Sequence, residues 1–180
     1  MKVLYTGGAR SGKSARAQQV AERLGPRRLF VATAEPGDDE MQARIARHQA
    51  ERGEGWTTVE EAMAPAMALL RHGPQHDVVV LDCLTLWVSN LLCAELDDDE
   101  LARRFDALDA ALRSCRVPVL LVSNEVGLGL VPGDALSRRY RDALGSLNQK
   151  MAASCDAVVV MVSGLPLVLK GHEPALLNEA

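Results

Sequence analysis

The amino-acid sequence predicts an α/β fold: a mainly parallel sheet with helices on both faces, in a single domain spanning residues 1–180. Three observations carry this expectation. Strand-like apolar runs alternate with helical spacings along the whole chain, the pattern of right-handed βαβ units. The central runs, "VVVL" at 78–81, "VLLV" at 119–122 and "AVVVMV" at 157–162, are continuously apolar, as strands buried on both faces must be. No repeat and no low-complexity linker divides the 180 residues, a length that suits one core large enough to need no staples.

Taken in order, "KVLYT" (2–6) is a first strand, followed by a glycine loop and a helix over Lys13–Leu24. "RLFVATA" (28–34) is a second strand. Residues 38–52 show helical spacing, with Met41, Ile45 and the aliphatic part of Gln49 on one stripe. "WTTVEE" (56–61) is a short extended segment, and "AMAPAMALLRH" (62–72) holds a helix starting near Pro65. "DVVVLDCLT" (77–85) is a buried strand that meets Asp82 at its end, and "LWVSNLLCAEL" (86–96) follows it. A helix is expected over Asp98–Ser114; the charge run "LDDDEL" marks its start, where acidic residues meet the positive end of the dipole. "VPVLLVSNEVG" (117–127) is a second buried strand with polar residues at its carboxyl end. A helix over 137–154, a last core strand in "DAVVVMVSG" (156–164) and an edge strand in "LPLVLK" (165–170) complete the set. The tail beyond Gly171 carries no clear pattern.

Composition narrows the class. Apolar residues make up 48% and charged residues 24%, which excludes a disordered chain. A net charge of −4 argues against a nucleic-acid or anionic-membrane binder, and 3% aromatics leaves little for base stacking. No apolar stretch reaches the roughly 20 residues needed to span a bilayer, and the amino terminus has no export-signal core. The cysteines Cys83, Cys93, Cys115 and Cys155 show no CxxC spacing, so neither a zinc site nor a disulfide framework is expected. These features predict a reduced, cytoplasmic protein without membrane insertion.

The strongest motif is "GGARSGKS", Gly7, Gly8, Ala9, Arg10, Ser11, Gly12, Lys13 and Ser14, which matches G-x-x-x-x-G-K-[ST] in full between a strand and a helix. The glycines let the backbone curl so that successive N–H groups point at phosphate oxygens. The helix N-terminus adds unsatisfied donors and partial positive charge. Lys13 can reach the terminal phosphates of ATP or GTP, and the Ser14 hydroxyl can ligate Mg2+. With this motif the fold is expected to be P-loop NTPase-like (RecA-like). Asp82 closes a strand expected beside the one feeding the loop, where it can be a second magnesium partner or cap the following turn. Ser123, Asn124 and Glu125 end another apolar strand in the same way and should face the site, since ligands in open parallel sheets lie beyond the strands' carboxyl ends.

"MQARIARHQAER" (41–52) holds His48 with Arg44 and Arg52 one turn to either side. Glu40 with Arg44, and Arg47 with Glu51, are acid-before-base pairs that suit an exposed helix, on which His48 would be one more polar residue. The same stripe could equally hold a reactive imidazole. Two neighbouring cations disfavour its protonation, keeping it neutral and nucleophilic, and can bind the phosphates of a nucleotide under attack. Attack on an α-phosphate would give a phosphoramidate and split a transfer into two steps.

"TGGARSGKS", "VATA…DDEM…RI…H…ER", "LDCLTLWVSNLL", "VSNEVGLGLVP" and "RRYRDALGSLNQKMA" occur in this order and spacing. Together they resemble the bifunctional adenosylcobinamide kinase / adenosylcobinamide-phosphate guanylyltransferase family of cobalamin biosynthesis, over residues 1–170. The resemblance implies phosphorylation of adenosylcobinamide with ATP or GTP, then transfer of GMP from GTP to adenosylcobinamide phosphate with release of pyrophosphate. It implies a guanylylated histidine at His48, the only histidine in the matching segment; Arg47 stands where some relatives have a second one. It places nucleotide contacts at Gly7 through Ser14, at Ala32, Thr33 and Ala34, at Gln49, Ala50, Glu51 and Arg52, and at Glu60 and Asp82. It also implies a homotrimer. Trp87, Leu91 and Leu92 would then pack either on a neighbouring subunit or in the core. The loop "NEVGLGLVP" and Arg138, Arg139, Tyr140 and Arg141 would shape the acceptor site or subunit interface, or simply serve helix packing. The rival readings are a plain small-molecule kinase, which would leave His48 dispensable, and a noncatalytic nucleotide-binding regulator.

Overall fold

The computed structural model describes residues 1–35 and 53–173. Seven strands join in one sheet of order β3-β2-β4-β5-β1-β6-β7. They are β1 (Lys2–Gly7), β2 (Arg28–Ala32), β3 (Trp56–Glu60), β4 (Val78–Asp82), β5 (Val119–Val122), β6 (Ala157–Val162) and β7 (Leu165–Lys170). The first six run parallel, and β7 returns antiparallel to β6 through a tight turn at Ser163 and Gly164. The helices are α1 (Lys13–Leu24), α2 (Pro65–His72), α3 (Leu84–Cys93), α4 (Asp98–Ser114) and α5 (Ala135–Ser154).

Side chains alternate across the sheet, and both faces are covered. Leu4, Val79, Leu81, Val119 and Leu121 join the larger core cluster with α2, α3, α4 and α5. Val3, Tyr5, Val78, Val80, Leu120 and Val122 pack with Ala17, Val20 and Ala21 of α1 on the other face. Burial on both sides is why these strands read as unbroken apolar runs. Each fully buried leucine among them contributes about 2 kcal/mol by transfer from water.

Helix boundaries follow local chemistry. The Asp97 carboxylate accepts from the Glu100 backbone N–H at 2.8 Å, and Asp98, Asp99 and Glu100 occupy the first turn of α4. The Asp134 carboxylate caps α5 the same way through Ser137 N–H at 2.8 Å, so α5 starts two residues earlier than its apolar spacing suggests. Pro65 opens α2 at a position where its missing N–H costs nothing.

Two expectations need correction or resolution. The strand ending at Asp82 does not neighbour the strand feeding the phosphate loop: β5 lies between β4 and β1. Strand content can be read from apolar runs, but the order of strands in a sheet depends on how the crossover helices pack. The buried strand ends at Asp82, as its apolar run indicates, and α3 begins two residues later, with the Cys83 sulfur accepting from Leu86 N–H at 3.4 Å. Trp87, Leu91 and Leu92 belong to the core of this chain: the Trp87 ring packs 5.7 Å from Phe105, and its Nε1 donates to the Met63 carbonyl at 3.1 Å. The helix expected over 38–52 lies outside the described residues. No helix among the described residues is long and apolar enough to cross a membrane.

Candidate functional site

The carboxyl ends of the parallel strands line up along one edge of the sheet. The register puts Ala32 beside Glu60 on one side and beside Asp82 on the other; Asp82 pairs in turn with Val122, and Val122 with Tyr5. Glu60, Ala32, Asp82, Val122 and Tyr5 therefore fall in a row, although the chain separates them widely, and Ser123 and Gly7 follow one and two residues beyond it. Of the residues singled out from the sequence, this edge gathers Gly7 through Ser14, Ala32 through Ala34, Glu60 and Asp82. His48, Gln49, Ala50, Glu51 and Arg52 lie outside the described residues.

The phosphate loop is curled by three residues in the left-handed region: Gly7 (φ 137°), Arg10 (φ 55°) and Gly12 (φ 97°). At Gly7 the requirement is also one of space, since a Cβ there would stand 2.4 Å from the Met161 carbonyl oxygen. Gly12 ends the loop as the residue before α1. From the β6–β7 turn, the Gly164 N–H donates to the Ser11 carbonyl at 3.0 Å, so the hairpin props the loop from beneath.

Lys13 is buried in this loop. Its ammonium donates to the Gly8 carbonyl at 2.5 Å and to Ser11 Oγ at 3.2 Å. Burial lowers its pKa from the ordinary lysine value, and the negative charge of Asp82 pulls the other way. Asp82 is thus electrostatically within reach of Lys13 even though a strand separates β4 from β1. Burial pushes the neighbouring Cys83 thiol up to about 12, so that it stays protonated at neutral pH.

Thr33, fully buried, ties two strand ends together. Its hydroxyl donates to the Cys83 carbonyl at 2.6 Å and accepts from the Cys83 N–H at 2.8 Å, while its own N–H donates to the Asp82 carbonyl at 3.1 Å. Asn90 of α3 donates its amide to the carbonyls of Thr33 and Ala62 at 2.8 and 3.1 Å. The segment after β2 is therefore anchored to the segment that carries Asp82.

Of Ser123, Asn124 and Glu125, the last reaches the loop. Glu125 N–H donates to the Gly7 carbonyl at 3.1 Å, and Thr6 Oγ1 donates to Glu125 Oε1 at 2.9 Å. Asn148 of α5 completes a buried set that sequence reasoning missed: it accepts from Ser123 Oγ at 2.6 Å and donates to the Asn124 carbonyl at 2.9 Å and to Glu125 Oε1 at 3.2 Å. The available signal was an asparagine at a core-facing helical position.

A second missed feature lies behind the loop. Glu173, in the patternless tail, is fully buried and accepts from Arg16 Nε and Nη2 at 2.9 and 2.7 Å and from the Tyr5 hydroxyl at 2.8 Å. Arg16 lies one turn into α1. In the Arg138–Arg141 cluster, Arg138 donates to the carbonyls of Pro132 and Gly133, Arg139 binds Asp98 and the Leu96 carbonyl, Tyr140 donates to the Thr85 carbonyl, and Arg141 pairs with Asp142.

With this geometry in place, comparison with known proteins is informative. The family model for "Cobinamide kinase / cobinamide phosphate guanyltransferase" matches residues 3–169. This chain belongs to that family. A Pseudomonas aeruginosa relative, "Bifunctional adenosylcobalamin biosynthesis protein CobP", is 44% identical over 172 residues, covering 96% of this chain and 99% of that protein. The Escherichia coli K12 relative, "Bifunctional adenosylcobalamin biosynthesis protein CobU", is 38% identical over 182 residues, covering 94% of this chain and all of that protein. Among solved structures, the RadB recombinase superposes with a TM-score of 0.50 at 16% identity, covering 88% of this chain and 73% of that one. A Pyrococcus horikoshii OT3 protein gives 0.56 at 8% identity, covering 97% and 88%. At these identities the structural likeness speaks for the fold alone. This member of the family thus carries its glycine-rich loop on a mostly parallel seven-stranded sheet.

Proposed function

We propose that this chain is a bifunctional enzyme of adenosylcobalamin biosynthesis. It phosphorylates the aminopropanol hydroxyl of adenosylcobinamide with ATP or GTP, then transfers GMP from GTP to that phosphate, giving adenosylcobinamide-GDP and pyrophosphate. The observation that carries this reading is the curled Gly7–Ser14 loop with the Lys13 ammonium buried inside it, at the strand edge of a chain that matches the family over residues 3–169.

In the kinase half, the loop N–H groups and the start of α1 hold the phosphates, and Lys13 offsets charge on the transferring phosphoryl group. Ser14, next to Lys13, and Asp82, whose charge reaches the Lys13 ammonium, offer the hydroxyl and carboxylate oxygens that suit Mg2+, a cation held by one or two protein ligands plus substrate phosphates. Magnesium bound there supplies charge neutralisation on the phosphates. Ala32 through Ala34 and Glu60, in line with Asp82, are the remaining described nucleotide contacts in this reading. The exposed Leu128, Leu130 and Val131, in the loop following Glu125, offer apolar contact to a large acceptor such as a corrinoid.

In the guanylyl half, a neutral His48 imidazole attacks the α-phosphorus of GTP. An N–P bond forms, the bond to the bridging oxygen breaks and pyrophosphate leaves. The acceptor phosphate oxygen then displaces the imidazole. Gln49 through Arg52 supply nucleotide contacts beside it. The functional form in this reading is a cytoplasmic homotrimer without nucleic-acid or membrane partners.

Incubation with magnesium and GTP labelled at the α-phosphate tests the covalent step. Acid-labile, base-stable label on the wild type, absent from His48→Ala, is the expected result. An unlabelled wild type that still phosphorylates cobinamide would reduce the protein to a kinase.

A further inference from the structure

Building on the kinase half of that reading, we propose that Glu125 is its general base, receiving the proton of the acceptor hydroxyl as that oxygen attacks the terminal phosphate of the nucleotide. Three features of the site carry the assignment.

The first is place. β5 lies between β4, which ends in Asp82, and β1, which feeds the phosphate loop. A residue just beyond β5 therefore stands between the proposed metal ligand and the loop that would hold the phosphates. Glu125 is tied directly to that loop by its N–H, which donates to the Gly7 carbonyl at 3.1 Å. The other carboxylate in the row, Glu60, lies two strands beyond Asp82 on the side away from β1, at the end of the edge strand β3.

The second is orientation. Glu125 Oε1 accepts from Thr6 Oγ1 at 2.9 Å and from Asn148 Nδ2 at 3.2 Å. Asn148, largely buried, cannot turn its amide over, because its Oδ1 accepts from Ser123 Oγ at 2.6 Å and its Nδ2 donates to the Asn124 carbonyl at 2.9 Å. One carboxylate oxygen is therefore pinned by two donors from different elements. Oε2 has no hydrogen-bond partner among the described residues. A carboxylate held through one oxygen presents the other in a fixed position, as a base must.

The third is the chemistry of the partners. Thr6 and Asn148 are neutral, and no cation pairs with Glu125 among the described residues. A bidentate arginine, such as Glu173 has in Arg16, would engage both oxygens and leave a poor proton acceptor. Glu125 keeps one oxygen free for the acceptor.

The step balances. A bond forms between the acceptor oxygen and the γ-phosphorus, and the bond from that phosphorus to its bridging oxygen breaks. The bridging electron pair leaves with the nucleoside diphosphate, and the hydroxyl proton moves to Glu125 Oε2. Positioning and charge stabilisation by the loop remain the larger part of catalysis, as is general for phosphoryl transfer, with the base adding its own factor.

The test is Glu125→Gln in the full-length chain, which keeps the shape and the acceptor oxygen for Thr6 and Asn148 but removes the basic oxygen. Phosphorylation of adenosylcobinamide at saturating nucleotide should fall by about 10²- to 10⁴-fold, with KM for the nucleotide within about threefold of wild type. Label from α-phosphate-labelled GTP should still enter the protein, because that step uses no acceptor hydroxyl. Glu125→Asp, which retracts the carboxylate but keeps it basic, should fall between wild type and Glu125→Gln. A Glu125→Gln kinase rate within about threefold of wild type overturns the proposal. So does a parallel loss of kinase rate, nucleotide affinity and label, which would make Glu125 a strut of the loop. A wild type that takes label yet phosphorylates no cobinamide sinks the kinase reading itself, and the base with it.

Discussion

Replacing Glu173 by alanine removes a carboxylate that is fully buried and accepts three hydrogen bonds, two from the Arg16 guanidinium and one from the Tyr5 hydroxyl. The guanidinium side chain is only 15% exposed, so solvent takes over little of what the carboxylate provided. Breaking a buried ion pair by deleting one partner costs about 3–5 kcal/mol, because the remaining charge stays desolvated. The Tyr5 hydroxyl loses its acceptor in the same substitution, and because the two effects share one carboxylate they do not add in full. We therefore expect Glu173→Ala to lose about 3–5 kcal/mol of stability, a drop in Tm of roughly 6–20 °C for a domain of this size. Glu173→Gln keeps one oxygen and should lose about half as much. The assay is thermal and urea unfolding followed by circular dichroism, in wild type and both variants. A Glu173→Ala midpoint within about 2 °C of wild type would refute the reasoning, showing that the tail carboxylate is replaced by water without penalty.

Three further outcomes follow from the same structure. Gly7→Ala puts a Cβ 2.4 Å from the Met161 carbonyl at a φ of 137°, so the loop must shift; strain of about 1–3 kcal/mol should weaken GTP binding roughly 5- to 150-fold by calorimetry, and unchanged affinity would remove the steric argument. Alkylation with iodoacetamide at pH 8 should modify the exposed Cys93 first and leave Cys83 and Cys155, both pushed up to about 12 chiefly by burial, unreacted in the native protein; early label on Cys155 by mass spectrometry would contradict the burial assigned to it. Asp77 beside Arg27, Glu100 beside Arg103 and Arg104, and Asp134 at the α5 N-terminus are held below the ordinary carboxylate range, so their folded pKa values lie below the unfolded ones; the stability they contribute is present at neutral pH and is lost as pH falls below about 4, which urea midpoints at pH 7, 4 and 3 will show as a decline, whereas a flat profile would mean these exposed contacts contribute nothing.

Much of the site was legible because its chemistry is local. The phosphate loop needs glycines at Gly7 and Gly12 for its left-handed turns and Lys13 at a set distance from them, so eight contiguous residues carry the whole pattern. Asp97 announced the start of α4 because a cap acts within one turn, whereas the start of α5 was placed two residues late because its cap, Asp134, stands apart from the apolar spacing. Glu125 stood in a polar strand end that should face the ligand. Its partners came from β1 and α5, and nothing in the short motif named Thr6 or Asn148. Trp87 was ambiguous for the same reason, since a large apolar helix face suits a core or a neighbouring subunit equally well until Phe105 and Met63 are seen against it.

By itself the sequence determined most of the described elements, the phosphate loop and the family, all of which depend on residues near one another in the chain or on segments in fixed order. The tertiary structure alone decided that β5 separates Asp82 from the loop strand, that Glu60, Ala32 and Asp82 stand side by side, and that a glutamate 157 residues from Arg16 closes the back of α1. Local periodicity specifies which face of a segment is apolar. Which segments then share that apolar space depends on how all the helices cover both faces of the sheet at once, and only the packed fold contains that solution.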